Sequence, residues 1–193
     1  MMRVKMMLLT FLIIVALLVL WLVSLYNGLI KQKNQVEEAW SGIDVQLKRR
    51  YDLIPNLIET VKGYTTHESE LMQKLTELRT LIGQTTSIAE KGQLNSALSS
   101  GIANLIAVGE NYPNLKASEN FIQLQKDLNG IEDQIQLARR YYNGSTRDYN
   151  TSLQSIPQVF IANYFRFEPF EFFQIENSKE RELPRVDFTS KES

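Results

Sequence analysis

The side chains of this chain that could do chemistry are few, and they do not form a recognisable catalytic set. The sequence contains one histidine, His67, and no cysteine, which excludes thiol catalysis, thiolate metal sites and multi-histidine zinc sites. Ser41 and Ser69 have no base at a usable spacing, so serine catalysis is not supported. His67 stands beside Glu68 at a predicted helix start and is better explained as a capping neighbour than as a base. The sequence therefore predicts no catalytic site and no enzyme.

Carboxylates occur along the predicted helices, but not in a metal-binding pattern. A di-metal helical bundle needs Glu-x-x-His motifs on facing helices, and this sequence has none. We therefore expect no metal and no cofactor. The net charge is −1, so the composition does not indicate a nucleic-acid-binding surface either. The acidic residues concerned are Glu37, Glu38, Asp52, Glu59, Glu132 and Asp133.

One charged residue, Arg50, falls on the apolar seam of a predicted helix. A charge at such a position is costly unless it is paired or reaches water. If the first and last helices of the soluble part lie antiparallel, Arg50 lies near Glu132 and Asp133, and an ion pair there would fix the register of the two helices. Alternatively, Arg50 extends its stem over the apolar surface and places its guanidinium in water. The sequence leaves both explanations open.

The same helix alignment brings Asp44 close to Arg139 and Arg140. This placement predicts a second interhelical ion pair that would also hold the register. Alternatively, Asp44 pairs with Lys48, four residues further along its own helix.

The elements that carry these residues follow a helical period. From Val36 to Tyr64 the apolar residues step by four and three along a heptad seam, whereas a strand would alternate at every second residue. Three further runs of this kind occupy residues 71–82, 94–105 and 121–156. Short links between four amphipathic helices predict an all-α fold, an antiparallel up-and-down four-helix bundle with long heptad-patterned helices.

Local features predict where these helices weaken or begin. Asn27-Gly28 and Pro55 are expected to weaken the first helix, and Pro55 is expected to kink it because proline lacks an N–H donor. Thr65 as N-cap with Glu68 three residues later forms a capping box that predicts the start of the second helix. Asn143-Gly144 predicts fraying or a bend in the last helix, because glycine costs ~1 kcal/mol relative to alanine inside a helix.

An N-terminal segment from Met6 to Tyr26 carries no charge and is almost wholly apolar. As a helix it would be ~31 Å long, close to the ~30 Å thickness of a bilayer core. Its length and the lack of a small-residue processing pattern favour an uncleaved transmembrane anchor over a signal peptide. Trp21 and Tyr26 suit the headgroup interface, while the basic residues on the two sides nearly balance and do not determine orientation.

Aromatic residues crowd the stretch from Phe160 to Phe173 around Pro169. Left in water they would form a large apolar patch, and such patches mark interfaces. Docking back onto the bundle is favoured, with contact to another subunit or to the membrane surface as alternatives. Trp40 is most simply a core residue and otherwise an exposed anchor for a partner. The interaction candidates are Trp40, Phe165, Phe167, Phe170, Phe172 and Phe173.

Blocks of the chain resemble the LemA family of bacterial membrane proteins. The more specific block is AWSGIDVQLKRR at residues 39–50, continued by DLIPNL at 52–57. A second block is YPNLKA at residues 112–117. Shorter matches follow at Ala138-Arg139, Tyr142-Asn143, Tyr149-Asn150 and Pro157.

The resemblance implies an N-terminal membrane helix, a short amino terminus outside and a four-helix bundle in the cytoplasm. It implies no reaction. We expect residues 1–28 to form the anchor and residues 29–175 the LemA-like bundle with its C-terminal aromatic segment. Residues 176–193 are charged, nearly lack apolar residues and are expected to form a disordered polar tail.

The preferred functional interpretation is a single-pass, non-enzymatic scaffold of the bacterial cytoplasmic membrane. Its expected partners are the lipid bilayer and either a second copy or another protein, because heptad-patterned faces make helix–helix contacts readily. The alternative is a small-ligand sensor or an accessory subunit of a membrane complex. Bundle cores can build ligand sites from inward polar side chains, and the candidates here are Arg50, Asn56 and Tyr142.

Overall fold

A computed structural model describes residues 2–65 and 68–173, and every regular element within these ranges is an α-helix. The prediction of an all-α fold is confirmed, but six helices replace the predicted four because two short ones join the long ones. His67 and the predicted polar tail lie outside the described residues. The helices are α1 (Met2–Lys62), α2 (Ser69–Gln84), α3 (Ile88–Glu110), α4 (Pro113–Lys116), α5 (Glu119–Gln154) and α6 (Gln158–Tyr164).

Helix α1 runs without interruption for 61 residues. It passes through Asn27-Gly28 and Pro55, so neither predicted weak point ends the helix. Within the described residues, α1 is the helix that is long and apolar enough to cross a membrane, and its most apolar stretch is entirely unburied. The predicted span from Met6 to Tyr26 lies in this stretch. The structure thus supports a candidate transmembrane segment that continues directly into the soluble part.

The predicted seam of α1 faces the core. Its buried positions include Val36, Ile43, Leu47, Ile54 and Leu57, each 0% exposed. These side chains repeat at three- and four-residue spacing, so they share one face of the helix and can be buried together. The departures are minor, since Ala39 is buried beside a half-buried Trp40 and Tyr64 is exposed.

Helices α1 and α5 are antiparallel neighbours. Gln35 donates to the Tyr141 hydroxyl at 3.3 Å, and Arg50 meets Glu132 at 2.8 Å. As the number rises along α1 it falls along α5, so the chain directions oppose one another. This is the alignment that the ion-pair prediction assumed.

The second helix starts later than the capping box predicted. Helix α2 begins at Ser69 with Glu68 as its N-cap residue, and the Glu68 side chain makes no capping hydrogen bond. Thr65 instead donates to the Val61 carbonyl at 3.3 Å. The threonine therefore terminates α1 rather than starting α2, and the predicted capping box was wrong.

The chain folds back after α6. A cis peptide bond joins Ile156 to Pro157 ahead of this helix. At its end Arg166 adopts a left-handed conformation with φ 56°, and the Phe167 N–H reaches back to the Ala162 carbonyl at 2.9 Å. This is the hydrogen-bond pattern of a helix C-terminal turn in which glycine is the usual residue. The turn directs residues 167–173, here called the aromatic segment, along α1 and α5.

Candidate functional site

A buried polar layer lies midway along the bundle and joins three helices. Arg50 of α1 is 4% exposed, and its Nη1 lies 2.8 Å from Glu132 Oε2 of α5. The same Nη1 donates to Asn95 Oδ1 of α3 at 3.2 Å. Glu132 Oε2 has no hydrogen-bond partner among the described residues, so its contact with Arg50 is chiefly ionic. The directed hydrogen bond of Nη1 goes to Asn95. Arg50 and Glu132 come together as the helix alignment predicted, and Arg50 does not extend into water.

The electrostatics of this layer follow from burial. Removal of the Arg50 guanidinium from water lowers its pKa, and the Glu132 carboxylate opposes that shift. Burial likewise raises the pKa of the adjacent Tyr51 above its ordinary value of 10.0. Each change disfavours the charged form, which is the expected effect of a low-dielectric site. At neutral pH Arg50 is still charged, because a guanidinium titrates far above that range.

Several polar atoms of the layer lack a hydrogen-bond partner among the described residues. They are Arg50 Nε, Asn95 Nδ2, Glu132 Oε2 and the Tyr51 hydroxyl. Buried polar groups are normally paired with protein or water, so each such atom calls for an explanation. The layer therefore contains more buried polar atoms than its direct hydrogen bonds satisfy.

The layer also divides the hydrophobic core. Leu47 and Ile131 belong to a cluster on the side of the apolar end of α1. Ile54 and Leu128 belong to a second cluster on the far side. Arg50 stands between them along α1, so two apolar cores meet at a charged residue.

The second predicted ion pair does not form as proposed. Asp44 pairs with Lys91 of α3 at 2.7 Å, whereas Arg139 donates to Gln136 of its own helix at 2.6 Å. The Asp44 carboxylate is turned towards Lys91 of α3 instead. Lys48 is not its partner either.

The aromatic segment is held to α5 by two asparagine side chains. Asn150 donates to the Phe170 carbonyl at 2.9 Å and accepts from the Phe170 N–H at 3.0 Å. Asn143 binds the carbonyl and the N–H of Phe173 in the same way, at 3.1 and 3.0 Å. The asparagines lie two helical turns apart, a rise of ~10 Å. Three residues of extended chain span nearly the same length, so the spacing of Phe170 and Phe173 matches that of the two asparagines.

Aromatic contacts complete the docking. The Phe173 ring lies 5.6 Å from the Trp40 ring, which lies 5.5 Å from Tyr142. Further along, Phe170 lies 5.4 Å from Tyr149. Tilted and edge-on ring pairs of this kind stabilise the docking beyond the burial of their apolar surface. The favoured prediction that this stretch docks back onto the bundle is therefore confirmed for these rings.

The interaction candidates consequently divide into two groups. Phe173 is 0% exposed, and Trp40, Phe167 and Phe170 are half-buried, so their rings are already engaged within the chain. Phe165 and Phe172 retain 54% and 40% exposure. Phe160 and Tyr164, on α6, are exposed still further, at 68% and 81%.

The fraying predicted at Asn143-Gly144 was wrong, while a bend at this point stays a prediction. Helix α5 continues through Asn143-Gly144 to Gln154. Asn143 binds the aromatic segment, and the next buried positions are small and polar, Ser145 and Thr146. The aromatic segment therefore lies against α5 at the point where fraying or a bend was predicted.

The three ligand-site candidates do not converge. Arg50 belongs to the polar layer, while Tyr142 is fully buried and donates to the Glu171 carbonyl at 2.7 Å. Asn56 is exposed. Within residues 2–65 and 68–173, no group of three or more His, Cys, Asp or Glu side chains could hold a metal ion.

Sequence reasoning missed Asn95, Asn143 and Asn150. Asn95 lies between apolar residues of a helical run, and a buried asparagine has no signal of its own in such a pattern. Asn143 and Asn150 had one, because both recur one position after a seam tyrosine, Tyr142 and Tyr149. That repeat marks one side of the helix over two turns.

The sequence also matches known proteins. A model of the LemA family matches residues 39–188. Protein LemA of Metamycoplasma hominis is 25% identical over 171 residues, which cover 86% of this chain and 74% of that protein. Magnetosome protein MamQ 2 of Paramagnetospirillum magneticum is 21% identical over 178 residues, covering 77% and 64% respectively. MamQ of Magnetospirillum gryphiswaldense is 20% identical over 174 residues with the same coverage, so the chain spans a little under two thirds of the MamQ relatives.

Proposed function

This chain belongs to the LemA family, and we propose that it is a non-enzymatic helical scaffold anchored in the bacterial cytoplasmic membrane. The apolar part of α1 is the anchor. The long helices α1, α2, α3 and α5 form an antiparallel bundle whose outer faces bind a second copy or another protein. The bundle lies in the cytoplasm, as the family resemblance implies.

The observation that carries this proposal is the continuity of α1. At ~1.5 Å per residue its 61 residues extend for ~90 Å. Its first third is unpacked and apolar, and the remainder is the central element of the core. One helix therefore serves as anchor and as bundle wall, which holds the bundle at a set height and rotation above the lipid.

The protein-binding surface is proposed from exposed apolar residues of the bundle. Leu137 and Tyr141 lie one turn apart on α5 and are 51% and 54% exposed. Residues four apart share one helix face, so the two side chains form a continuous apolar strip. The aromatic segment does not cover it.

The absence of cysteine allows a direct test of that surface. Leu137→Cys or Tyr141→Cys would introduce the chain's one thiol, and a short bifunctional thiol reagent would be applied to native membranes. The scaffold proposal expects a crosslinked dimer or a defined heavier adduct. Lys126→Cys, on an exposed position of the same helix, is the matched control. Equal adduct yields at the control and test positions would contradict the proposal.

The anchor and its orientation are tested separately. The chain should stay in the pellet after a carbonate wash of the membranes. Lys116→Cys, exposed at the far end of the bundle, should react with an impermeant thiol reagent only after the cytoplasmic side is opened. Labelling in intact cells would reverse the orientation without affecting the scaffold.

The alternative function, a small-ligand sensor or accessory subunit, is favoured by the unsatisfied atoms of the polar layer. Arg50 Nε, Asn95 Nδ2 and the Tyr51 hydroxyl could receive a ligand's polar groups. Mass spectrometry of gently solubilised protein would look for a small molecule that is present in the wild type and lost in Arg50→Met. A scaffold yields no such molecule.

A further inference from the structure

Two adjoining grooves open where the apolar part of α1 meets α6. The first, here called the apolar groove, has a volume of about 500 Å³. It lies between α1 and α6, and hydrocarbon and aromatic side chains line it. Its residues are Leu22, Val23, Tyr26, Phe160, Ile161, Tyr164 and Phe165.

The position of this groove relative to a bilayer follows from its own walls. Leu22 and Val23 lie inside the segment proposed to span the membrane, and they share the groove with Phe160 and Tyr164 of α6. Whatever surrounds Leu22 and Val23 must also surround the rings opposite them. This inference rests on the proposed membrane anchorage, and it places α6 at the lipid surface.

The exposure of α6 agrees with that placement. Phe160 and Tyr164 are 68% and 81% exposed, although large aromatic rings are normally buried. Rings with an apolar body, and tyrosine in particular, are favoured at the boundary between acyl chains and headgroups. Ile161 and Ala162 of the same helix are buried against the bundle, so one face is fixed to the protein and the other is left for lipid.

The second groove, here called the polar groove, shares Tyr26 and Phe165 with the first and has a volume of about 560 Å³. Its charged residues are two cations and two carboxylates, of which Lys33 and Glu37 lie 3.8 Å apart as an exposed ion pair. The Lys33 Cα lies ~10 Å beyond Tyr26 along α1. Helical side chains tilt towards the amino terminus, here towards the bilayer, so the Lys33 ammonium reaches the headgroup layer. The charged residues are Lys33, Glu37, Arg166 and Glu168.

We propose that the two grooves form one binding site for a glycerophospholipid. An acyl chain lies in the apolar groove, and the headgroup lies in the polar groove beyond Tyr26 and Phe165. The balance of charge selects the headgroup, because equal numbers of cations and carboxylates suit a zwitterion better than an anion. Lys33 and Arg166 bind the phosphate, and Glu37 and Glu168 bind an ammonium of the phosphatidylethanolamine type.

Fluorescence quenching by lipids brominated near the headgroup end of the acyl chain tests the contact. The full chain in nanodiscs would carry one tryptophan at a time. Phe160→Trp in a Trp21→Phe, Trp40→Phe background reports on α6. Native Trp21 alone reports on the anchor, and native Trp40 alone reports on the core. Ile122→Trp, 51% exposed on α5, is the matched control for exposure.

The site requires these lipids to quench the Phe160→Trp emission, because a helix at the lipid surface buries its apolar face ~5–10 Å into the boundary between headgroups and acyl chains. The emission from position 122 and from Trp40 should stay unchanged. Quenching of Trp21 without quenching at position 160 overturns the lipid site and leaves the anchor intact. Absence of quenching at Trp21 overturns the anchor itself.

Native mass spectrometry tests the headgroup. The protein would be released from nanodiscs that hold phosphatidylethanolamine and phosphatidylglycerol in equal amounts. The wild type should retain the former, and Lys33→Gln should lower that retention about tenfold or more, as expected for the loss of a hydrogen bond to a charged group. Lys31→Gln, exposed and outside the polar groove, should leave retention unchanged. Equal retention of the two lipids, or equal effects of the two substitutions, overturns the assignment.

Discussion

Reversal of the charge at Glu132 is the sharpest test of the polar layer. Glu132→Lys would place an ammonium where a carboxylate now lies 2.8 Å from Arg50 Nη1. The Arg50 side chain is 5% exposed and cannot turn to water, whereas that of Glu132 is 33% exposed. The substitution therefore leaves a buried guanidinium with Asn95 as its remaining polar contact and adds a like charge beside it.

The magnitude follows from the burial of the two partners. Breaking a buried ion pair by removing one partner typically costs about 3–5 kcal/mol. Because water reaches Glu132 in part, we expect about 2–4 kcal/mol, less than for a fully buried pair. For a domain of this size that loss corresponds to a fall in Tm of about 5–15 °C. Thermal unfolding in nanodiscs, followed by circular dichroism, measures it.

A neighbouring residue provides the matched control. Asp133 is the next residue on α5 and is exposed, so Asp133→Lys makes the same charge change on the surface and should shift stability by about 0.5 kcal/mol or less. Equal Tm values for the Glu132 and Asp133 variants would refute the argument. The double variant Arg50→Met, Glu132→Leu should regain most of the loss, since a buried pair replaced by apolar side chains is often neutral.

The register role needs a readout beyond stability. Gln35 and Tyr141 touch at 3.3 Å across α1 and α5, so a cysteine at each position should crosslink through a short reagent. If the ion pair fixes the register, Glu132→Lys should lower that crosslinking below the melting transition. Unchanged crosslinking would assign the pair to stability alone.

Other substitutions test the remaining features by thermal unfolding of the full chain. Asn143→Ala removes the two hydrogen bonds to Phe173 and should lower the free energy of unfolding by about 1–3 kcal/mol, with earlier proteolysis of the aromatic segment. Asn129→Ala on the exposed face of α5 should change neither. Gly109→Ala places a methyl 2.5 Å from a ring atom of Phe121 and should destabilise the fold by about 1–3 kcal/mol. In the control Gly130→Ala the added methyl meets nothing within 4 Å, and the fold should gain about 0.5–1 kcal/mol. Burial raises the folded-state pKa of Tyr51 above its ordinary 10.0, so the stability that Tyr51 contributes should be fully present below pH 10.0 and be lost as the pH rises above it. Tyr51→Phe should reduce this alkaline loss of stability, and an unchanged alkaline slope would contradict the shift.

The register between α1 and α5 was predictable because the residues that set it are regular. Ile43, Leu47 and Ile54 repeat at helical spacing and can be buried only on one face, and Arg50 stands on that same face. Once the two long helices are taken as antiparallel, the partner of Arg50 follows from counting turns. The heptad pattern was therefore sufficient to predict Glu132 as the partner of Arg50.

The contacts that depend on a third element were not predictable in this way. Asp44 pairs with Lys91 because of where α3 lies against α1, and the short link after α2 sets that position rather than any periodic pattern. The docking of Phe170 and Phe173 pairs an extended chain with a helix 20 and 30 residues away. An extended segment carries no helical period, so its register on α5 is visible only in the structure.

The lengths of the helices explain why an extended segment is needed at all. Helices α2 and α3 contain 16 and 23 residues, against 36 in α5. At ~1.5 Å per residue they end well before α5 does, so half of α5 would have only α1 to pack against. Helix α6 and the aromatic segment cover that half and build the core cluster nearer the apolar end of α1.

The polar layer lies at the junction between these two constructions. On one side of Arg50 the core is made by five helices, α1 to α5, and on the other chiefly by α1, α5, α6 and the aromatic segment. Apolar packing is non-directional, so it alone tolerates small shifts between such halves. An ionic and hydrogen-bonded contact tolerates far less displacement, since its strength depends on distance and direction. Arg50 is therefore placed where its ionic contact with Glu132 and its hydrogen bond to Asn95 can together hold α1, α3 and α5 in one register.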